Sequence, residues 1–196
     1  MKSIAALALC AAAPAAAQLV NPGFEPDTAV GNNNILSAGS TAIPGWTVID
    51  AGAEWFNAPA FNAASPEGGY AVDLANFTFI GGGVEQTFTT EPGRDYVIEF
   101  FFGTQQTAGR VGTADITVSA DGQSSDYSIT NLSPTTAWEA RAFAFTADDT
   151  QATLRFQNFQ NANLHFAYID GARIIPAPAT ALLLLPTLAA ASRRRR

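Results

Sequence analysis

This chain is short of the residues that carry most covalent and acid–base chemistry. It has one cysteine, Cys10, one histidine, His165, and a single lysine, Lys2, in 196 residues. Disulfide staples and thiolate chemistry are therefore excluded from everything after Cys10. His165 is the one side chain that titrates near neutrality without help. No apolar run reaches the ~20 residues that cross a bilayer comfortably. Between Gln18 and Ile175 there is no helical periodicity of useful length and no internal repeat. Positive charge is scarce as well. Lys2 and Arg193 to Arg196 are half of the 10 cations, while all 17 carboxylates lie between them. Residues 18–175 thus hold five cations against 17 carboxylates, a net charge of −12. Such a body repels phosphate backbones, which excludes nucleic acid as a partner, and suits cation binding and solubility outside the cell.

What is present at the two ends reads as address. Met1 to Ala17 has one positive charge, an apolar stretch from Ile4 to Ala13 and small residues at Ala15 to Ala17. That is the pattern of a helical secretory signal peptide cut by signal peptidase between Ala17 and Gln18. Cys10 is no lipid acceptor, because it lies inside the apolar stretch behind a bulky Leu9. Residues 176–196 combine Pro176, Ala177, Pro178, Ala179 and Thr180 with a short hydrophobic helix and four terminal arginines. The apolar run is too short to span a membrane and is broken by Pro186, so it implies transient inner-membrane association.

The body between them, 18–175, has single-domain length and alternates with period two. Tyr96, Ile98, Phe100 and Phe102 share one strand face; Ile116 and Val118, Phe143 and Phe145, and Leu154 and Phe156 repeat the pattern. Asp121-Gly122 predicts a tight hairpin between 114–120 and 123–130. Glu91-Pro92-Gly93-Arg94 and Asp148-Asp149-Thr150 punctuate other runs. The expectation is all-β, a two-sheet jelly-roll β-sandwich. Pro26 to Ser40 and Asn57 to Gly69 read as long loops, where binding surfaces usually sit.

The tail resembles the PEP-CTERM sorting signals, with Ala177 where that family usually has glutamate. The resemblance implies recognition by an exosortase and export from a Gram-negative bacterium to its outer surface or extracellular matrix. The body resembles the choice-of-anchor C family, which is related to galactose-binding-like carbohydrate-binding sandwiches. The matching pieces are Leu19-Val20-Asn21-Pro22-Gly23-Phe24-Glu25, Ile43-Pro44-Gly45-Trp46, Glu54-Trp55, Ala71-Val72-Asp73-Leu74, Glu85-Gln86-Thr87-Phe88 and Tyr168-Ile169-Asp170-Gly171.

Candidate sites follow. Terminal strands of a jelly roll lie side by side, so Glu25 and Asp170 can converge, and hard cations want several oxygen ligands. The resemblance implies a structural Ca²⁺ there; the plain alternative is that Glu25 caps a turn and Asp170 accepts backbone hydrogen bonds. Sugar binding needs flat aromatic faces and amides. Trp55, Phe56, Asn57 and Phe61, leading into the second long loop, and Asn158 and Asn161, in a polar-aromatic stretch, are the ligand-binding candidates. Trp46 and Trp138 read as core, Asp73 as a satisfied polar residue at a sheet margin, and His165 as a surface residue on a strand. No nucleophile elbow, zinc-protease motif or phosphate loop is present. The expected protein is a non-catalytic binder of glycan or component of an extracellular polysaccharide matrix. The alternatives are a secreted carbohydrate hydrolase, needing a carboxylate pair in a groove, and a self-associating structural surface protein.

Overall fold

The computed structural model describes residues 17–75, 81–160 and 165–176. Residues 1–16, read above as a signal peptide, the stretch beyond Pro176, read as a sorting motif, and Asn161 lie outside the described residues. Ala17 is buried against the core and Gln18 is exposed.

The fold is a jelly-roll β-sandwich. The strands are β1 (Asn33–Leu36), β2 (Thr47–Asp50), β3 (Ala53–Asn57), β4 (Tyr70–Asp73), β5 (Gly82–Thr89), β6 (Asp95–Thr104), β7 (Thr113–Ala120), β8 (Gln123–Thr130), β9 (Ala137–Thr146), β10 (Gln151–Gln157) and β11 (Tyr168–Pro176). One sheet has six strands in the order β1-β3-β4-β11-β6-β9, the other five in the order β2-β5-β10-β7-β8. Every pair is antiparallel.

The predicted alternation is what buries the core. Tyr96, Ile98, Phe100 and Phe102 of β6 all point between the sheets. There Phe100 meets Phe156 of β10 with ring centroids 5.1 Å apart. Phe24, from the N-terminal segment, packs on Trp46 at 4.8 Å. Asp121 and Gly122 join β7 to β8 with φ of 51° and 73°. Two successive positive φ values make the type I′ turn that matches strand twist.

Two expectations need correction. The Pro26–Ser40 stretch is not all loop, because β1 forms inside it and pairs with β3. Trp138 is not core: it lies half-buried over Gly103, on the face of the six-stranded sheet that points away from the other sheet.

The long side of the sandwich between β8 and β9 is stitched by side chains. Tyr127 Oη donates to Ala142 O at 2.7 Å, and Gln123 Nε2 donates to Thr146 O at 2.7 Å. Thr146 N returns a bond to Gln123 Oε1 at 3.2 Å, and Arg141 Nη2 reaches Ser128 O at 3.2 Å.

Candidate functional site

The outer face of the six-stranded sheet carries the site, and strand register explains why. Glu54 of β3 faces Asp73 of β4, which faces Tyr168 of β11, which faces Gly103 of β6, which faces Trp138 of β9. The adjacent row, Trp55, Val72, Ile169 and Phe102, is buried in the core between the sheets. Successive side chains of a strand point to opposite faces, so the Glu54 row points outward. It is nonetheless buried. A 3₁₀ turn at Ala58–Phe61 and the loop around Gln105 to Arg110 rise over it. Phe56, Ala58, Ala63, Ala71, Phe166 and Tyr168 form a second apolar cluster, separate from the main core.

Between these parts is a cavity of about 220 Å³. Its wall is aromatic: Phe56 lies 5.0 Å from Tyr168, Phe61 stands edge-on to Phe56 at 5.9 Å, and Phe166 lies 5.3 Å from Tyr168. Its polar groups are Glu54, Asp73, Asn62, Gln105 and Thr107. Gly103 makes room for this wall, since a Cβ there would sit 2.6 Å from a Trp138 ring carbon.

Each polar group is held differently. Asp73 Oδ1 accepts from the backbone N–H of Ala75 and Ala167, at 2.9 and 3.0 Å. Glu54 Oε1 accepts from Asn33 Nδ2 at 2.6 Å, while Glu54 Oε2 has no hydrogen bond among the described residues. Glu54 is 4% exposed. Burial first, then the negative charge of Asp73, push its carboxyl up to about 7, against the pull of Arg110. Arg110 is itself buried, its guanidinium 4.1 Å above the Phe166 ring and its Nη1 donating to His165 O. Burial lowers the Arg110 pKa, opposed by Asp73, Tyr168 and Glu54. Gln105 Oε1 accepts from Thr136 Oγ1 at 2.5 Å, which leaves its Nε2 for the cavity.

The sequence-level candidates divide. Phe56 and Phe61 line the cavity. Trp55 does not: it is 2% exposed in the core, with Nε1 donating to Phe24 O at 2.7 Å. Asn57 sits at the mouth of the 3₁₀ turn, bonded to Asn32. Asn158 is buried elsewhere, beside Asp50 and Phe159, with Oδ1 accepting from Gln160 N. His165 lies outside the cavity lining, its Nδ1 against Thr113 O. Asp73 is the last residue of β4, and in the outer row it lies between Glu54 and Tyr168.

Glu25 and Asp170 do converge, on the loop leading into β4. Glu25 Oε1 accepts from Gly69 N and Tyr70 N at 2.8 Å each. Asp170 Oδ2 accepts from Ser65 Oγ and from Glu67 N, the latter at 2.9 Å; its Oδ1 accepts from Gly171 N at 2.7 Å. Gly68, at φ +75°, permits the approach, because a Cβ there would lie 2.2 Å from Glu25 Oε1. Three of the four oxygens already receive hydrogens where a calcium ion would need lone pairs. No group of three His, Cys, Asp or Glu among the described residues is placed to hold a metal. These residues do not fit a structural Ca²⁺. Burial nevertheless pushes Asp170 up to about 7, against the hydrogen bonds from Ser65, Glu67 and Gly171.

A family model described as a protein of unknown function (DUF642) matches residues 17–169. No curated protein matches the chain. Among solved structures, an arabinose-bound α-L-arabinofuranosidase is 14% identical with a TM-score of 0.54, over 82% of this chain and 26% of that one. This chain therefore spans about a quarter of that enzyme's length. The K1 cleaved adhesin domain of Lys-gingipain from Porphyromonas gingivalis W83 is 15% identical with a TM-score of 0.53, over 76% of this chain and all of that one. Both likenesses are in the fold.

Proposed function

The chain belongs to the DUF642 family, and from that premise we propose that it is an exported, surface-sorted β-sandwich that binds a sugar unit of an extracellular polysaccharide without cleaving it. The observation that carries this reading is the outer-face cavity. It is small and apolar-walled, and among the described residues its lining includes an acceptor without a hydrogen bond, Glu54 Oε2, and a donor without one, Gln105 Nε2. Ring faces that stack on sugar C–H surfaces, combined with a few fixed polar groups, are what a pyranose site requires. Export rests on the sequence of residues 1–17 and on the PEP-CTERM-like tail, which would be read by signal peptidase and an exosortase. The body resembles choice-of-anchor C domains, which fits such sorting.

Glu25 and Asp170 serve in this reading as clamps that fix the loop before β4, the strand that brings Asp73 to the cavity. Calcium titration is expected to leave the melting temperature unchanged; a rise abolished by Glu25→Gln would restore the metal.

A glycan array probed with the full chain tests the main reading. Binding that Phe61→Ala weakens is expected; no binding to any glycan would leave a purely structural role. One observation favours the hydrolase alternative, the cross-strand carboxylate pair Glu54 and Asp73 with Glu54 pushed up to about 7. Against it, Asp73 Oδ1 is engaged by two backbone N–H groups. Release of new reducing ends from a bound polysaccharide, lost in Glu54→Gln, would decide for the enzyme.

A further inference from the structure

We infer that the outer-face cavity selects a sugar ring bearing a free primary amine, of the glucosamine type, over neutral, N-acetylated and uronate rings. The inference rests on the carbohydrate reading above and narrows it.

The argument is one of charge and valence. Two carboxylates, Glu54 and Asp73, line the cavity, and one cation, Arg110, is coupled to both. Asp73 spends Oδ1 on two backbone N–H groups. Glu54 keeps Oε2 without a hydrogen bond among the described residues, although the residue is 96% buried (4% exposed). That oxygen is not sealed in the protein but opens to the cavity, so a donor or a positive charge that enters there can reach it. A ligand ammonium supplies both, with three N–H donors and a full charge. The rings of Phe56, Phe61 and Tyr168 surround the same space, and aromatic faces attract a cation. A sugar hydroxyl offers Glu54 only a neutral donor, without the Coulomb attraction that an ammonium adds in a site shielded from water. An N-acetyl group removes the charge and adds bulk to a cavity of about 220 Å³. A uronate would add a third carboxylate beside two. Gln105 Nε2 remains to donate to a ring oxygen. The acidic balance of the surrounding body draws cations toward it.

Titration of Glu54 gives the proposal a signature. The groups that face it are Asp73 from β4, Arg110 from the loop after β6, Tyr168 from β11 and the neutral Asn33 from β1. Ammonium binding favours the ionised carboxylate and expels its proton, so affinity should rise with pH up to about 7. A neutral ring that accepts a hydrogen bond from protonated Glu54 would show the reverse.

Calorimetry on the full chain with β-1,4-linked oligomers of glucosamine, of N-acetylglucosamine, of glucose and of a uronic acid tests this. The amine oligomer is expected to bind about tenfold or more tighter than any other, a gap of about 1.4 kcal/mol. Its affinity should climb from about pH 5 to about pH 7 with proton release. Glu54→Gln, which keeps the bond from Asn33, should erase that preference and the proton release. Should the variant fail to fold, the ranking of the four ligands on the parent chain decides alone. Equal or tighter binding of the neutral or acetylated oligomer overturns the inference and leaves the carbohydrate reading standing. An amine preference that survives in Glu54→Gln also overturns it, by assigning the selectivity to general surface charge. Absence of binding by all four overturns both.

Discussion

Two rows of side chains, one residue apart on the same strands, have opposite characters. The row Trp55, Val72, Ile169 and Phe102 faces the second sheet and is apolar throughout. The row Glu54, Asp73, Tyr168 and Gly103 faces away and holds two carboxylates, a phenol and a gap. Both rows are buried, but by different partners. Another sheet covers the inner row, whereas a 3₁₀ turn and a loop cover the outer one. Burial against a sheet demands hydrocarbon that packs. Burial under loops leaves a cavity and lets charge persist there at the expense of a shifted pKa. The contrast teaches that the chemistry of this chain was placed where the lid is thin.

The sharpest way to break the contrast is to hollow the inner row. Phe102→Ala should cost about 3–5 kcal/mol, read as a lower urea midpoint; a cost below about 1 kcal/mol would mean that the row is not core. The same pair of strands offers the opposite change on the outer row. Gly103→Ala puts a methyl 2.6 Å from the Trp138 ring. It should cost about 1–3 kcal/mol as overpacking and shift the Trp138 fluorescence.

The pH dependence distinguishes the rows further, since only the outer one titrates. Glu54 sits at about 7 in the folded protein, above the ~4.3 of an exposed glutamate. Its contribution to stability is therefore full below about pH 4 and is lost as pH rises through about 7. Glu54→Gln should remove that loss and make the protein more stable than its parent at about pH 8, by about 1–2 kcal/mol. Part of the slope will remain, because Asp170 also sits at about 7. Thermal melts across that range check both statements. The smallest effect belongs to a surface pair outside both rows. Arg155 Nε bonds Glu85 Oε2 at 2.8 Å on the solvent face of the five-stranded sheet. Arg155→Ala should cost about 0.2–1 kcal/mol, and less in high salt.

Phe102 of the inner row was legible in the sequence, whereas the side to which Trp55 turns and the pairing of Glu54 with Asp73 were not. Alternation in Tyr96 to Phe102 announces β6, and Asp121-Gly122 announces the β7–β8 hairpin, because both signals are local. β1 is Asn33-Asn34-Ile35-Leu36, a stretch with no alternation and poor strand propensity, and it exists because β3 offers it an edge. Phe56 and Phe61 stood out as aromatics near a loop. Trp55 stood out equally and faces the other way, which one residue of register decides. Glu54 and Asp73 escaped because their pairing is set by β3 and β4 folding on each other across twelve loop and turn residues. A signal was present all the same. Each is a lone acid between apolar neighbours, Ala53 and Trp55 for one, Val72 and Leu74 for the other, and a charge in such a strand must face something that tolerates it.

The stitching of β8 to β9 also governs how the molecule can come apart. Tyr127, Gln123 and Arg141 bind the spine of this two-leaved book, while its fore-edge at β1 and β2 rests on four-residue strands. Breathing therefore starts at the fore-edge and dies out toward the spine, so amide exchange should quicken strand by strand from β9 toward β1. Glu54 rides on β3, the first leaf inside that fore-edge, and its neighbour Asn33 belongs to the leaf that lifts first. A guest reaching the carboxylate would thus find the door hung on the side of the molecule held by its shortest strands.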